Sequence, residues 1–186
     1  MAIFRGNSGH NTFTGGSPDG VDVYVTGAGH DTVYDHQGTN LALLGPGNDS
    51  FYGYYSNVPQ IAHGEGGDDT LLGGSADDIL VGGSGNDHIL GGDGDDHINV
   101  GNAGRGDGGG GNDTLVGALG GGNVFLSGGA GLTTYRLDVS DAESGGQIYI
   151  EDNSRGSLAR IYLSLGSGRP ELTFEAMPDG GTRVLN

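Results

Sequence analysis

A nine-residue pattern repeats through the middle of this chain and leaves little freedom in how it can fold. Gly82-Gly83-Ser84-Gly85-Asn86-Asp87-His88-Ile89-Leu90 runs directly into Gly91-Gly92-Asp93-Gly94-Asp95-Asp96-His97-Ile98-Asn99. Upstream lie Gly73-Gly74-Ser75-Ala76-Asp77-Asp78-Ile79-Leu80-Val81 and Gly64-Glu65-Gly66-Gly67-Asp68-Asp69-Thr70-Leu71-Leu72. Downstream, after an eight-residue unit, comes Gly108-Gly109-Gly110-Gly111-Asn112-Asp113-Thr114-Leu115-Val116. The consensus is G-G-x-G-x-D-x-U-x, with U a large apolar residue. A short fixed period marks a solenoid, in which each unit buries its apolar side only by stacking on its neighbours. Weaker copies at Gly6–Thr14, Thr26–Tyr34, Leu44–Tyr52 and Gly128–Arg136 extend the register to about fourteen units, with eleven-residue units at 15–25, 53–63 and 117–127.

The two parts of a unit have opposite preferences. The first six residues suit a tight turn, where glycine permits positive φ and leaves carbonyls uncovered. The last three suit a short strand, in which side chains alternate, so position eight (Ile89) points inward and positions seven and nine outward. The next unit returns along the other side, and two units, eighteen residues, complete one coil. The expectation is an all-β fold. It is a right-handed parallel β-roll, a β-solenoid of about 18 residues per coil, over residues 1–136, followed by a C-terminal β cap over 137–186.

Stacking units n and n+2 at the strand spacing of about 4.8 Å brings their position-six carboxylates together. Alone they would repel; a hard cation between them reverses the sign. Ca²⁺ takes six to eight oxygens in a flexible geometry, which two Asp side chains and about four turn carbonyls would supply, whereas Mg²⁺ demands a rigid octahedron and zinc prefers His or Cys. Asp31 and Asp49, Asp69 and Asp87, and Asp78 and Asp96 are each eighteen apart, and Asp96 and Asp113 seventeen. One edge is expected to read Asn11, Asp31, Asp49, Asp69, Asp87 and to fail near Gly106; the other, Asp22, Asn40, Val58, Asp78, Asp96, Asp113, Thr133. Sites are expected at 69/87, 78/96, 96/113 and 31/49, with 49/69 and 22/40 weakened by an eleven-residue unit or an Asn. Protons compete for the same carboxylates, so calcium binding is expected to weaken below about pH 5, near the ordinary carboxylate range.

Composition agrees. Glycine accounts for 43 of 186 residues, and the apolar share is 33%, too low for an ordinary core. The net charge is −17, with ten of those negative charges between residues 64 and 116 (eleven acids against Arg105). That balance excludes nucleic-acid backbone binding, which draws its affinity from Lys and Arg, and a surface drawn to anionic lipid. There is no Cys, hence no disulfide or thiolate site. No run is long and apolar enough to span a membrane, and Met1–Arg5 leads into Gly6 without an apolar signal region.

The nonapeptides resemble the RTX, or haemolysin-type, calcium-binding family, closely over 64–116 and loosely over 6–63 and 117–136. The resemblance implies a parallel β-roll in which the carbonyls of positions one to four and the Asp of position six bind several Ca²⁺ ions. Carried onto this chain, those positions include Gly82, Gly83, Ser84, Gly85 and Asp87, and Gly91, Gly92, Asp93, Gly94 and Asp96. They also include Gly64, Gly66 and Asp69, Gly73, Ser75 and Asp78, and Gly109, Gly111 and Asp113. Ala76 replaces the fourth glycine of its unit and Glu65 the second of its own, each at some strain. The resemblance further implies type I secretion without an N-terminal signal peptide, and folding in extracellular calcium. The expected role is a structural or secretion-assisting module of a secreted protein.

Three function classes compete. The signatures H-E-x-x-H and G-x-S-x-G are absent, so no enzyme is expected, a polysaccharide lyase or epimerase being the residual alternative. Tyr24, Tyr34, Tyr52, Tyr54, Tyr55 and His36 form an aromatic group that could hold sugar rings of an extracellular polysaccharide or cell surface; the plainer reading of Tyr34 and Tyr52, eighteen apart, is a cross-strand ladder. Beyond residue 136, strand-like alternation recurs at 147–151, 160–165, 171–175 and 183–185, with a turn at Asp179–Thr182, and the tail carries a possible secretion signal.

Overall fold

The structure, a computed structural model, describes residues 1–15, 20–35, 37–53, 56–139, 145–151, 160–164, 173–176 and 182–185. Short strands separated by glycine turns wind into a parallel β-solenoid with two sheets. The first sheet is, in spatial order, β1 (Ile3–Arg5), β3 (Val21–Val25), β5 (Thr39–Leu43), β7 (Gln60–Gly66), β9 (Ile79–Ser84), β11 (His97–Asn99), β13 (Thr114–Ala118), β15 (Thr134–Asp138) and β17 (Arg160–Ser164). The second runs β2 (Thr12–Thr14), β4 (Thr32–Tyr34), β6 (Ser50–Tyr52), β8 (Thr70–Leu72), β10 (Asp87–Asp93), β12 (Gly104–Gly110), β14 (Val124–Ser127) and β16 (Ile148–Glu151), then β19 (Thr182–Leu185) and β18 (Thr173–Ala176). From β1 to β17 consecutive strands therefore lie in opposite sheets, the topology that a two-unit coil requires. No helix of the described residues is long and apolar enough to cross a membrane.

Register follows unit length. Ile61 pairs with Ile79 and Ile79 with His97, eighteen residues each. The eight-residue unit shortens one coil to seventeen (His97 to Thr114), and an eleven-residue unit lengthens another to twenty (Ser50 to Thr70). Position eight forms two facing inward columns. Tyr24, Ala42, Ala62, Leu80, Ile98, Leu115 and Tyr135 line the first sheet, and Val33, Phe51, Leu71, Ile89 and Leu126 the second. Gly106 interrupts the second column, and Val100 and Ile98 cover it: a Cβ on Gly106 would stand 2.9 Å from a Val100 methyl. At the first coil, Phe4 stacks on Tyr24 at 4.9 Å while Phe13 meets it edge-on, so aromatic rings close that end.

Parallel stacking continues past residue 136. β14 pairs with β16 and β15 with β17 in parallel, and only then does the chain reverse, with β19 antiparallel to both β16 and β18. The turn read at Asp179–Gly181, and Tyr54, Tyr55 and His36, lie outside the described residues.

Candidate metal centre

At successive acid turns the residue leading into the strand hands its backbone N–H to the carboxylate of the next coil. Asp31 N donates to Asp49 Oδ1 (2.6 Å), Asp49 N to Asp69 Oδ1 (2.7 Å) and Asp69 N to Asp87 Oδ1 (3.0 Å). On the other edge Asp78 N donates to Asp96 Oδ1 (2.8 Å) and Asp96 N to Asp113 Oδ1 (3.0 Å). One oxygen of each carboxylate is thus spent on stacking. The second oxygen, Oδ2, of Asp31, Asp49, Asp69, Asp87, Asp96 and Asp113 is buried and meets no hydrogen-bond donor. An ionised carboxylate left so, at 1–2% exposure, is costly unless a cation meets it.

The turns place bare backbone opposite those oxygens. A Cβ added to Gly91 would stand 2.7 Å from the Gly108 carbonyl oxygen and collide with Asp96 Oδ2; one added to Gly64 would meet Asp69 Oδ2 and the Gly82 carbonyl oxygen (2.5 Å). Gly82 faces Asp87 Oδ2, and Gly108 faces Asp113 Oδ2, in the same way. Position-one glycine therefore leaves a hollow bounded by an orphan carboxylate oxygen and carbonyls. Positions two and four adopt positive φ in these turns (Gly83 109°, Gly85 134°), which is why they are glycine. Glu65 takes the same conformation (φ 74°), the sole non-glycine among the described residues to do so.

Four turns combine a position-one glycine, positive φ at two and four, and Asp at six: 64–69 and 82–87 on one edge, 91–96 and 108–113 on the other. Gly66, Ser84, Asp93, Gly92, Gly94, Gly109 and Gly111 lie within them. The 73–78 turn, with Gly73 and Ser75, is built differently. Ala76 stands where a positive-φ glycine stands elsewhere, none of its residues has positive φ, and Gly74 N donates to Asp78 Oδ2 (2.7 Å). Asp78 therefore already has a donor on the oxygen that its counterparts leave bare. At 26–31 and 44–49 the backbone shape is kept (Gly27, Gly29, Gly45 and Gly47 have positive φ), but position one is Thr26 and Leu44, both fully buried. The sequence reading counted position one only as a carbonyl and left out Gly108; that a side chain there would collide with Oδ2 escaped it, although the letters T and L at 26 and 44 were visible.

Two column assignments change. The edge expected to carry Val58 carries Gln60: Asn40 pairs with Gln60, and Gln60 N donates to Asp78 Oδ1 (2.7 Å). The other edge reaches Gly104, not Gly106, after Asp87. Both shifts arise where a unit departs from nine residues, so counting alone misplaces the slack. A further outer ladder at position five links Asp68 Oδ1 to Asn86 N, Asp77 Oδ1 to Asp95 N and Asp95 Oδ1 to Asn112 N, at 2.7–2.8 Å.

Burial pushes the position-six carboxyls upward: Asp96 to about 8, Asp69 to about 7, and Asp49, Asp78 and Asp113 to about 6, with Asp87 raised as well. Hydrogen bonds from backbone N–H groups pull the other way, and neighbouring carboxylates add to the rise at Asp69 and Asp96. In the folded roll without metal, protons therefore hold these carboxyls at higher pH than they hold free carboxylates.

The donor set suits a hard cation. Among the described residues no three His, Cys, Asp or Glu side chains converge, so an ion held here depends on backbone carbonyls as well as on one or two carboxylates. Residues 19–51 and 63–98 match the RTX calcium-binding nonapeptide repeat, in four copies. These segments are RTX repeats. The repeats lie within a parallel β-roll that extends beyond them on both sides. No curated protein matches the chain.

Outside the RTX turns, Tyr34 and Tyr52 stack on each other at 5.0 Å with planes 10° apart, as a cross-strand ladder. Their facing ring surfaces are spent on that contact.

Proposed function

We propose that this RTX module folds on binding calcium outside the cell and serves as a structural, secretion-assisting part of a secreted protein. The observation that carries the proposal is the row of buried, donor-less Oδ2 atoms facing glycine hollows in consecutive coils. Bound calcium supplies the positive charge and the oxygen coordination that these groups lack. The strongest sites are assigned to the turn pairs 64–69/82–87 and 91–96/108–113, where carboxylate, position-one glycine and turn shape coincide. Asp78 joins Asp96 with a carboxylate oxygen already held by Gly74 N, and Asp31 and Asp49 lie beside filled position-one sites, so these rank lower. The residues themselves stack the coils through Oδ1, expose carbonyls through Gly83, Gly85, Gly92 and Gly94, and exclude water through burial.

Low cytosolic calcium leaves a segment of charge −10 with little core, which favours an unfolded chain until export. The test is a calcium titration of chelator-treated protein followed by far-UV circular dichroism, with magnesium as control. A cooperative gain of β signal with calcium and not magnesium supports the proposal. A full β signal in chelator, unchanged by calcium, overturns it.

A further inference from the structure

Where the early coils depart from the consensus at positions one and six, side-chain hydrogens occupy the carbonyls of the turns. Asn40 Nδ2 donates to the carbonyls of Gln37 (3.0 Å) and Gly38 (2.7 Å). Gln60 Nε2 donates to the carbonyls of Gly38 (2.8 Å) and Val58 (2.9 Å) and to Ser56 Oγ (2.7 Å). Both amides stand in the position-six column, directly above Asp78, Asp96 and Asp113. Their oxygens or backbones keep the ladder intact: Asn40 Oδ1 accepts Asp22 N (2.9 Å), and Gln60 N donates to Asp78 Oδ1. On the opposite edge, the Thr26 hydroxyl donates to the Leu44 carbonyl from position one. At the far end of the Asp113 column, Thr133 Oγ1 donates to the Gly128 carbonyl (3.3 Å).

The chemistry of these groups is the complement of a carboxylate. An Asp offers only acceptors, so a turn whose carbonyls face it contains nothing but oxygen lone pairs and needs a cation. An Asn or Gln offers an acceptor for the ladder and two N–H donors for the carbonyls, and it carries no charge. Asn40 and Gln60 are fully or almost fully buried (1% and 0% exposed), so their donors have no water to turn to and the hydrogen bonds hold them in place.

We infer that Asn40 and Gln60 stand in for a cation, so that the coils spanning residues 21–62 take no metal on that edge and form a seed that needs calcium less than the acid coils do, Asp31 and Asp49 on the opposite edge being its remaining bare carboxylates. The acid coils after residue 63 then stack on it when calcium arrives. The inference rests on the calcium-dependent folding proposed above, and it assigns the two residues as those that decide which turns require an ion.

Amide hydrogen exchange on the full chain, in chelator and in calcium at pH 7.5, tests both levels separately. In chelator, the ladder amides of Asp22, Thr26 and Leu44 are expected to stay protected while those of Asp69, Asp78 and Asp96 exchange; calcium then protects all six. If both sets exchange together in chelator and both recover in calcium, the seed is overturned and the calcium proposal stands. If both sets remain protected in chelator and calcium changes nothing, the calcium proposal fails and the seed loses its meaning. Asn40→Asp provides the second arm. It exchanges the donors for an acceptor, so protection of Asp22 in chelator is expected to fall at least tenfold and to return in calcium. Asn40→Leu, lacking both donor and acceptor, is expected to lose that protection in either condition. Protection in chelator that is unaltered by Asn40→Asp would overturn the role of the amide.

Discussion

The coils of residues 21–62 and those of 64–116 share parallel stacking and an inward apolar column, yet they close their turns in opposite ways. The early coils fill the turns with Thr26, Leu44, Asn40 and Gln60. The middle coils empty them with Gly64, Gly82, Gly91 and Gly108 and set a buried carboxylate on each hollow. On the proposed reading, the same backbone path is stabilised once by hydrogen bonds made within the chain, at Asn40 and Gln60, and once by an ion recruited from outside. The lesson is that a repeat can drift from its consensus without losing its fold, provided the drift supplies hydrogen donors where the consensus relied on charge.

The largest expected effect separates the two regions by mutation. Asp96→Ala removes a carboxylate flanked by Asp78 and Asp113 in one ladder. Its calcium midpoint, read by circular dichroism, should rise at least tenfold, about 1.4 kcal/mol. Asp31→Ala, beside the filled Thr26 and Leu44 positions, should move it roughly threefold or less, about 0.7 kcal/mol. Equal shifts in the two variants would erase the distinction.

A second contrast comes from pH. The carboxyls of Asp69 and Asp96 titrate near 7 and 8 in the folded, metal-free roll, against 3.8 for the same groups unperturbed. Between those values the folded state holds more protons than the unfolded one, so metal-free stability falls as pH rises through about 4 to 8 and is greatest below that window. Chelated protein should show more β signal at pH 5 than at pH 8, and the calcium midpoint should climb as pH drops below about 7. A chelated protein that gains β signal on going from pH 5 to pH 8 would contradict the burial of these groups.

Smaller effects probe single turns. Gly91→Ala sets a methyl between Asp96 Oδ2 and the Gly108 carbonyl and should weaken calcium binding up to about tenfold, about 1.4 kcal/mol, while Gly110→Ala, 3.1 Å from Asp93 Oδ1, should leave the midpoint unchanged. Glu65→Gly relieves a positive φ and should raise thermal stability in calcium by roughly 1 kcal/mol. A loss of stability there would mean that the Glu65 side chain contributes more than its backbone costs.

The solenoid, its two-unit coil and the Asp69/Asp87 and Asp78/Asp96 stacks were legible in the sequence because the units between them are consensus and the spacing admits one register. Gln60 was not legible. The eleven-residue unit at 53–63 can absorb its two extra residues before or after the turn, and Val58 satisfied a simple count equally well. Nor did periodicity foretell that Ala76 would reshape its turn, since the consequence is a peptide N–H, that of Gly74, swung onto Asp78. The upward titration of the acids followed from burial, which a count of charges does not contain. The continuation of parallel pairing into β16 and β17 was hidden by the lapse of the nonapeptide after residue 136.

The ladder of backbone donors has a direction. The position-six N–H of Asp31, Asp49, Asp69, Asp78 and Asp96 is served by a carboxylate that arrives one coil later in the chain, as Asp69 N is by Asp87 and Asp96 N by Asp113. The outer, exposed ladder runs the other way, Asp68 serving Asn86. Trimming the roll from its end would strand a buried amide N–H, while trimming from its beginning would strand the buried carboxylate oxygen that had received one. The two termini are therefore not equivalent as places to cut, fuse or unravel: the molecule has a grain, and a cut bares a donor at one end and an acceptor at the other.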